Sequence, residues 1–120
     1  MILADSSIWI DHFRMPNAIL KHLVADGELC IHPFVIAELA LGSIPDRESF
    51  LKKVRSLPSE FSLESFDLVD FVSAHNLQST GIGFVDATLL AVALHRKLQI
   101  WTGDKRLLIQ AQRLNLAATL

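Results

Sequence analysis

Four carboxylates occupy positions in this chain where a charged side chain is expected to have a chemical role. Asp5 and Asp104 each follow a short apolar run, whereas Glu38 and Asp86 each stand as the single acid of an apolar, helix-like segment. A carboxylate in apolar surroundings costs several kcal/mol unless it is paired or bound to a metal. Neither helix-like segment offers a lysine or arginine as a local partner.

A divalent cation resolves this conflict if the four acids converge. Their like charges would otherwise raise one another's pKa and destabilise the empty site. Mg²⁺ and Mn²⁺ prefer oxygen ligands, and the hydroxyls of Ser6 and Ser7 beside Asp5 suit such a site. The commonest use of such a site is phosphodiester cleavage, because metal ions lower the pKa of an attacking water and stabilise the developing charge.

Each acid also has a purely structural interpretation. Asp5 suits a helix N-cap, Asp86 suits the positive end of a helix dipole, and Asp104 suits a turn. Glu38 has the weakest such alternative, because a lone acid in an apolar helix needs a partner. The four acids together favour a metal site.

Short apolar runs alternate with helical patterns along the chain. The predicted strands are residues 2–4, 29–32, 61–66, 98–101 and an edge strand at 116–120. The predicted helices follow Asp5 and Asp104 and otherwise cover residues 17–27, 33–42, 46–57, 67–77 and 84–97. This alternation predicts an α/β fold with a parallel sheet of about four to five strands and helices on both faces. Functional groups then collect at the carboxyl ends of the strands.

Three helices carry more detailed expectations. We expect Asn17 and Asp46 to cap the helices that follow them. The helix after Asn17 should direct four apolar residues inward: Ile19, Leu20, Leu23 and Val24. The helix at 33–42 is apolar almost all round and should be buried.

Length and composition indicate a single globular domain spanning residues 1–120. Apolar residues make up 51% of the chain and charged residues 20%. The lone Cys30 allows no disulfide within the chain, which fits a reducing compartment. We find no signal peptide and no apolar run near the ~20 residues of a membrane span. We therefore expect a soluble, cytoplasmic protein.

The net charge of −2 does not point to nucleic acid, but the charge distribution is uneven. Residues 57–86 contain five acids and no lysine or arginine, whereas residues 87–120 contain five bases against Asp104. A molecule polarised in this way can hold a polyanion on one side, although an ordinary solvated face explains the pattern as well.

Other familiar sites are not supported. The five histidines lack metal-ligand spacing, which argues against zinc. A glycine-rich phosphate loop and the Gly-x-Ser-x-Gly motif of serine hydrolases are also missing.

Four motifs resemble those of a known family in order and spacing. They are residues 5–11 (Asp-Ser-Ser-Ile-Trp-Ile-Asp), His32-Pro33 leading to 38–42, residues 83–87 (Gly-Phe-Val-Asp-Ala) and residues 101–104 (Trp-Thr-Gly-Asp). As a set they resemble the PIN-domain ribonucleases, and more narrowly the VapC-type toxins of bacterial type II toxin–antitoxin pairs. The likeness runs from Met1 to about Asn115.

The resemblance implies a PIN-like sheet and an acidic pocket that binds Mg²⁺ or Mn²⁺ through Asp5, Glu38, Asp86 and Asp104. Ser6 and Thr102 match positions where the family places a hydroxyl near the metal. The family cleaves structured RNA such as tRNA or rRNA, usually as homodimers, and a cognate VapB-like antitoxin neutralises each toxin.

The sequence departs from the family at Leu107-Leu108, where an aromatic residue is common, and residues 46–77 match no motif. On charge alone, three bases are candidates for contacts with RNA phosphates: Arg96, Lys105 and Arg106. Two alternatives stay open, namely a receiver-type phosphoacceptor domain that is not an enzyme and an inactive PIN-like binding module.

Overall fold

The computed structural model of the chain describes residues 1–59 and 68–120. Its sheet contains three parallel strands: β1 (Ile2–Ala4), β2 (Leu29–Cys30) and β3 (Gln99–Trp101). The strand order is β2-β1-β3, so the first strand lies at the centre. Parallel strands joined through helices confirm the predicted α/β class.

Seven helices connect and follow these strands in the described residues. They are α1 (Ser6–Arg14), α2 (Ala18–Ala25), α3 (Pro33–Leu41), α4 (Arg47–Arg55), α5 (Leu68–Ala74), α6 (Phe84–Arg96) and α7 (Lys105–Arg113). The chain leaves β1 toward β2 and then crosses back to β3. Because crossovers between parallel strands are right-handed, these opposite directions place helices on both faces of the sheet. The reversal also creates a switch point at the carboxyl end of β1.

Within residues 1–59 and 68–120 the sheet has three strands, against the predicted four to five. The segment expected at 116–120 forms only one parallel bridge, between Ile100 and Ala117. Ile100 N–H donates to Leu116 O at 2.6 Å, and Ala118 N–H donates to Ile100 O at 2.8 Å. The pairing therefore covers too few residues to count as a strand. The strand expected at 61–66 lies outside the described residues.

Helix α6 provides the centre of the core, as its sequence predicts. Every residue from Ala87 to Ala93 is buried, and Leu90 is completely enclosed. Burial of this helix fixes its first turn, and with it Asp86, relative to the sheet. In the part of the chain that the structure describes, no helix is long and apolar enough to cross a membrane.

The prediction that α3 is buried is wrong. Val35 and Leu39 are buried, but Leu41 is 90% exposed and Glu38 is also exposed. The helix packs along one side, against α1 and α4, so its remaining apolar residues face outward. The apolar pattern indicated the element correctly but not its environment.

Two expectations about α2 and α4 need correction. Helix α2 buries Leu20 and Leu23 only, because Ile19 and Val24 lie at the edges of that stripe and are exposed. Asp46 precedes α4 with φ 48° and ψ 50° and makes no side-chain cap bond. An N-cap side chain needs an extended backbone to reach the helix N–H groups. Asn17 has that conformation, and its Oδ1 accepts from Leu20 N–H at 3.1 Å.

Candidate functional site

Asp5 lies where β1 ends, and its carboxylate is fixed by its neighbours. The residue is 4% exposed and caps α1, with Oδ1 accepting from Ile8 N–H at 3.3 Å and from the Ser7 hydroxyl at 2.5 Å. The Thr102 hydroxyl, which follows β3, donates to Oδ2. Burial raises the pKa of Asp5, and these hydrogen bonds oppose the rise only in part. The hydrogen bonds therefore do not fully offset the cost of burying Asp5 in its ionised form.

Ser7 joins two strand ends at this site, a link that the sequence does not reveal. Besides donating to Asp5, its hydroxyl oxygen accepts from Gly103 N–H at 2.8 Å and lies 3.4 Å from Thr102 Oγ1. The predicted support from Thr102 is consistent with this geometry. Ser6 instead hydrogen-bonds to Glu38. The sequence signal for Ser7 was its place beside Ser6 in the first turn of α1.

Asp104 follows β3 and caps α7. Its Oδ1 accepts from Arg106 N–H at 2.9 Å and from Leu107 N–H at 3.2 Å. The Asp104 N–H in turn donates to Thr102 Oγ1 at 3.0 Å. Asp5 and Asp104 therefore each cap a helix, and both also lie at the carboxyl ends of neighbouring strands.

Glu38 and Asp86 reach the same place from helices α3 and α6. Although Glu38 is exposed as a residue, partial desolvation of its carboxyl group raises its pKa, the charge of Asp5 raises it further, and the bond to Ser6 lowers it. Asp86 accepts from the N–H of Gly83, the N-cap of α6, as an acid at the third helical position can. Burial and then the charges of Asp5, Asp104 and Glu38 raise the pKa of Asp86 to about 6. The structure therefore brings all four predicted acids into one electrostatically coupled site.

The donor set fits a hard divalent cation. It consists of carboxylate and hydroxyl oxygens, and repulsion among its acids is the feature that a cation would relieve. Within residues 1–59 and 68–120, no three His, Cys, Asp or Glu side chains are already arranged around one ion position. Mg²⁺ does not need such a cage, because proteins commonly bind it through one or two carboxylates while it keeps several waters.

The three basic residues that were predicted to contact RNA phosphates lie in different parts of the structure. Lys105 and Arg106 form the first turn of α7, next to Asp104, and both are exposed. Arg96 ends α6, ten residues and about 15 Å along the helix from Asp86. It lines a cavity with Met1 and Arg55. The structure therefore brings Lys105 and Arg106 to the acids but does not bring Arg96.

Comparisons with known proteins agree with this geometry. Residues 2–113 match the PIN domain family. The chain is 44% identical over 109 residues to Ribonuclease VapC32 of two Mycobacterium tuberculosis strains, CDC 1551 / Oshkosh and ATCC 25618 / H37Rv. The match covers 89% of this chain and 87% of that protein.

A solved structure shares the fold. The crystal structure of PAE2754 from Pyrobaculum aerophilum matches with a TM-score of 0.59 and 20% sequence identity, covering 91% of this chain and 84% of that one. The sequence motifs, the acidic site and the family match lead to one conclusion. The chain belongs to the PIN-domain family, among its VapC-type members.

Proposed function

We propose that this chain is a Mg²⁺- or Mn²⁺-dependent endoribonuclease toxin that cleaves structured RNA such as tRNA or rRNA. The proposal rests on the grouping of four carboxylates from separate elements around Asp86. Burial and the charges of the other three acids raise the pKa of Asp86 to about 6. The 44% identity to a protein named as a ribonuclease supports the choice of RNA.

The residues of the site would have different roles. Asp5 and Asp104 are held by helix-cap hydrogen bonds and would act as fixed ligands. Glu38 and Asp86 accept bonds from Ser6 and Gly83, and one of them would orient the attacking water. Ser7 and Thr102 hold the Asp5 carboxylate in position. The metal, when bound, would activate water and stabilise negative charge on the phosphate.

The bases at the start of α7 would bind the RNA backbone. Lys105 and Arg106 are exposed directly after Asp104, so they can neutralise phosphates on that side of the acids. Arg96 is the weakest of the three candidates, because it lies at the far end of α6.

The proposed partner is a VapB-like antitoxin, and the proposed location is the cytoplasm. The antitoxin would act by placing a basic side chain among the four carboxylates, where it would compete with the metal. A complex with the antitoxin should therefore contain such a group within hydrogen-bond distance of the acids. An antitoxin complex without any basic group there would contradict this mode of inhibition.

The direct test is incubation of purified protein with total cellular RNA in Mg²⁺, in Mn²⁺ and in EDTA. We expect discrete fragments with metal and none with EDTA, and mapped ends should fall in tRNA or rRNA. RNA that stays intact with both metals would favour the inactive binding module. The family match removes the basis for the receiver-type alternative.

A further inference from the structure

A cavity of about 410 Å³ opens beside the acidic site. Its walls come from α1, α3 and the connection between α3 and α4. Glu38 belongs both to this cavity and to the group of four acids, so the cavity adjoins the acidic site at Glu38. Its volume falls within the roughly 300–1,000 Å³ of typical small-ligand sites.

The cavity combines apolar walls with a cation. Phe13, Leu39 and Ile44 contribute apolar surface, whereas Arg14 and Ser43 contribute polar groups. The Arg14 side chain is exposed, and no carboxylate in residues 1–59 and 68–120 forms an ion pair with it. An arginine of this kind is available to bind a phosphate in bidentate fashion.

We propose that this cavity binds one nucleotide of the RNA substrate, next to the phosphate that is cleaved. The base and ribose would lie against the apolar walls, and Arg14 would hold the nucleotide's phosphate. This inference rests on the proposed ribonuclease function, because the RNA has to cross the four acids to reach it.

Charge placement supports this path for the RNA. Arg14 lies on the α1 side of Glu38, while Lys105 and Arg106 follow Asp104 on α7. The acids are thus flanked by cations on two sides, and a backbone crossing them would meet a positive charge before and after the cleaved bond. RNA-binding proteins commonly hold unpaired bases against aromatic and apolar side chains, which the cavity supplies in Phe13.

A second cavity provides an internal control. It has a volume of about 480 Å³, lies between α1, α2 and α4, shares Phe13 and Pro45 with the first cavity, and contains none of the four acids. Ser43 lines the first cavity and Ser49 the second, and both serines are exposed. The same substitution, serine to tryptophan, can therefore fill either cavity.

The test is titration of the ¹⁵N-labelled protein with each of the four nucleoside 5′-monophosphates in Mg²⁺, followed by NMR. We expect at least one nucleotide to shift the amides of Ile10, Arg14, Gly42 and Ile44, which line the first cavity and not the second. Ser43→Trp should abolish these shifts and Ser49→Trp should leave them unchanged. Arg14→Ala, at an exposed position where folding is not at risk, should weaken binding by about fivefold.

Inorganic phosphate serves as the comparison ligand. If phosphate alone causes the same shifts, the site binds an adventitious ion only and the proposal is wrong. Binding that survives in Ser43→Trp, or that is unaffected in Arg14→Ala, would also overturn it.

Cleavage of total RNA separates this proposal from the one on which it rests. If the wild-type protein cuts RNA but binds no nucleotide in the cavity, the nuclease proposal stands and the subsite proposal is wrong. If the protein binds nucleotides at residues 42–45 but cuts no RNA, the nuclease proposal is wrong instead.

Discussion

At the scale of single residues, the hydrogen bonds around Asp5 show how an acidic site is preorganised. Ser7 contacts both the Asp5 carboxylate and the Gly103 N–H, and Thr102 contacts both Asp5 and the Asp104 N–H. Two hydroxyls therefore join the end of β1 to the end of β3. Because both hydroxyls are bonded on two sides, they connect the Asp5 carboxylate to the backbone that carries Asp104.

The raised pKa of Asp86 makes stability depend on pH. Folding raises this pKa from 3.8 to about 6, so the folded state holds more protons than the unfolded state between these values. The metal-free protein should therefore lose stability as pH rises from about 4 to 6 and remain less stable above that window. Thermal unfolding in EDTA across this range measures the effect.

Asp86→Asn supplies the control for that experiment. The variant should unfold at a higher temperature than wild type at pH 7.5 in EDTA and show a flatter pH profile. Added Mn²⁺ should raise the Tm of the wild type more at pH 7.5 than at pH 5, because protons compete for the carboxylates. Equal pH profiles for the two proteins would contradict the coupling of Asp86 to the other acids.

Ser7→Ala should separate positioning of Asp5 from the folding of α1. The change removes a donor to Asp5 and the acceptor of Gly103 N–H. We expect kcat for RNA cleavage to fall by roughly 10–100-fold and the free energy of unfolding to fall by about 1 kcal/mol. Ser73→Ala, at an exposed position of α5, should change neither quantity. A Ser7→Ala enzyme with wild-type kcat would refute the positioning role.

The sequence indicates the four acids more directly than it indicates the hydroxyl groups that hold them. A lone carboxylate in an apolar segment is visible in the sequence because its burial is costly. Which of Ser6 and Ser7 faces Asp5 depends on the rotation of α1, since adjacent helical residues point about 100° apart. It also depends on Gly103, which is 96 positions away from Ser7 along the chain. No local pattern contains that information.

At the scale of elements, Asn17 and Asp46 show why a cap residue alone does not predict a cap. Asn17→Ala should lower the free energy of unfolding by about 1 kcal/mol, because Leu20 N–H loses its acceptor. Asp46→Gly should stay within about 0.5 kcal/mol of wild type, because relief of the left-handed backbone offsets the entropy that glycine loses. Urea unfolding measures both. A large loss in Asp46→Gly would mean that the Asp46 side chain does support α4.

Helix α6 should respond very differently to truncation at two of its leucines. Leu90 is fully buried, so Leu90→Ala should cost about 2–5 kcal/mol. Leu94 is 40% exposed, and Leu94→Ala should cost about 1 kcal/mol or less. Similar losses at the two positions in urea unfolding would contradict the assignment of this helix as the centre of the core.

Helices α3 and α6 also show what an apolar pattern leaves undetermined. Both sequences predict a buried helix, and the structure buries α6 but leaves Leu41 of α3 exposed. The difference arises because α6 packs on β3 and α5 while α3 packs along one side only. Element type follows from local sequence, whereas the identity of the neighbours depends on the whole topology.

At the scale of the whole molecule, we propose that the exposed apolar residues of α3 and α6 form the interface of the homodimer that the family resemblance implies. Phe84 is 64% exposed, and its ring lies 5.8 Å from that of Phe34, which joins the two helices on one face. Burial of such a face between two copies would remove apolar surface from water. Leu41→Glu should therefore convert a dimer into a monomer in sedimentation velocity, and Val69→Glu on α5, another exposed apolar position, should not. A monomeric wild type would contradict the proposal.

The central claim is that four carboxylates from separate elements form one metal-dependent ribonuclease site. The most direct measurement is the rate of RNA cleavage in Mn²⁺ by the wild type, by Asp86→Asn and by Asp26→Asn, an exposed acid outside the site. The account predicts that Asp86→Asn loses at least about 100-fold in rate while remaining folded, that Asp26→Asn cleaves like wild type, and that EDTA stops both active proteins. Cleavage by Asp86→Asn at the wild-type rate, or by the wild type in EDTA, would contradict it.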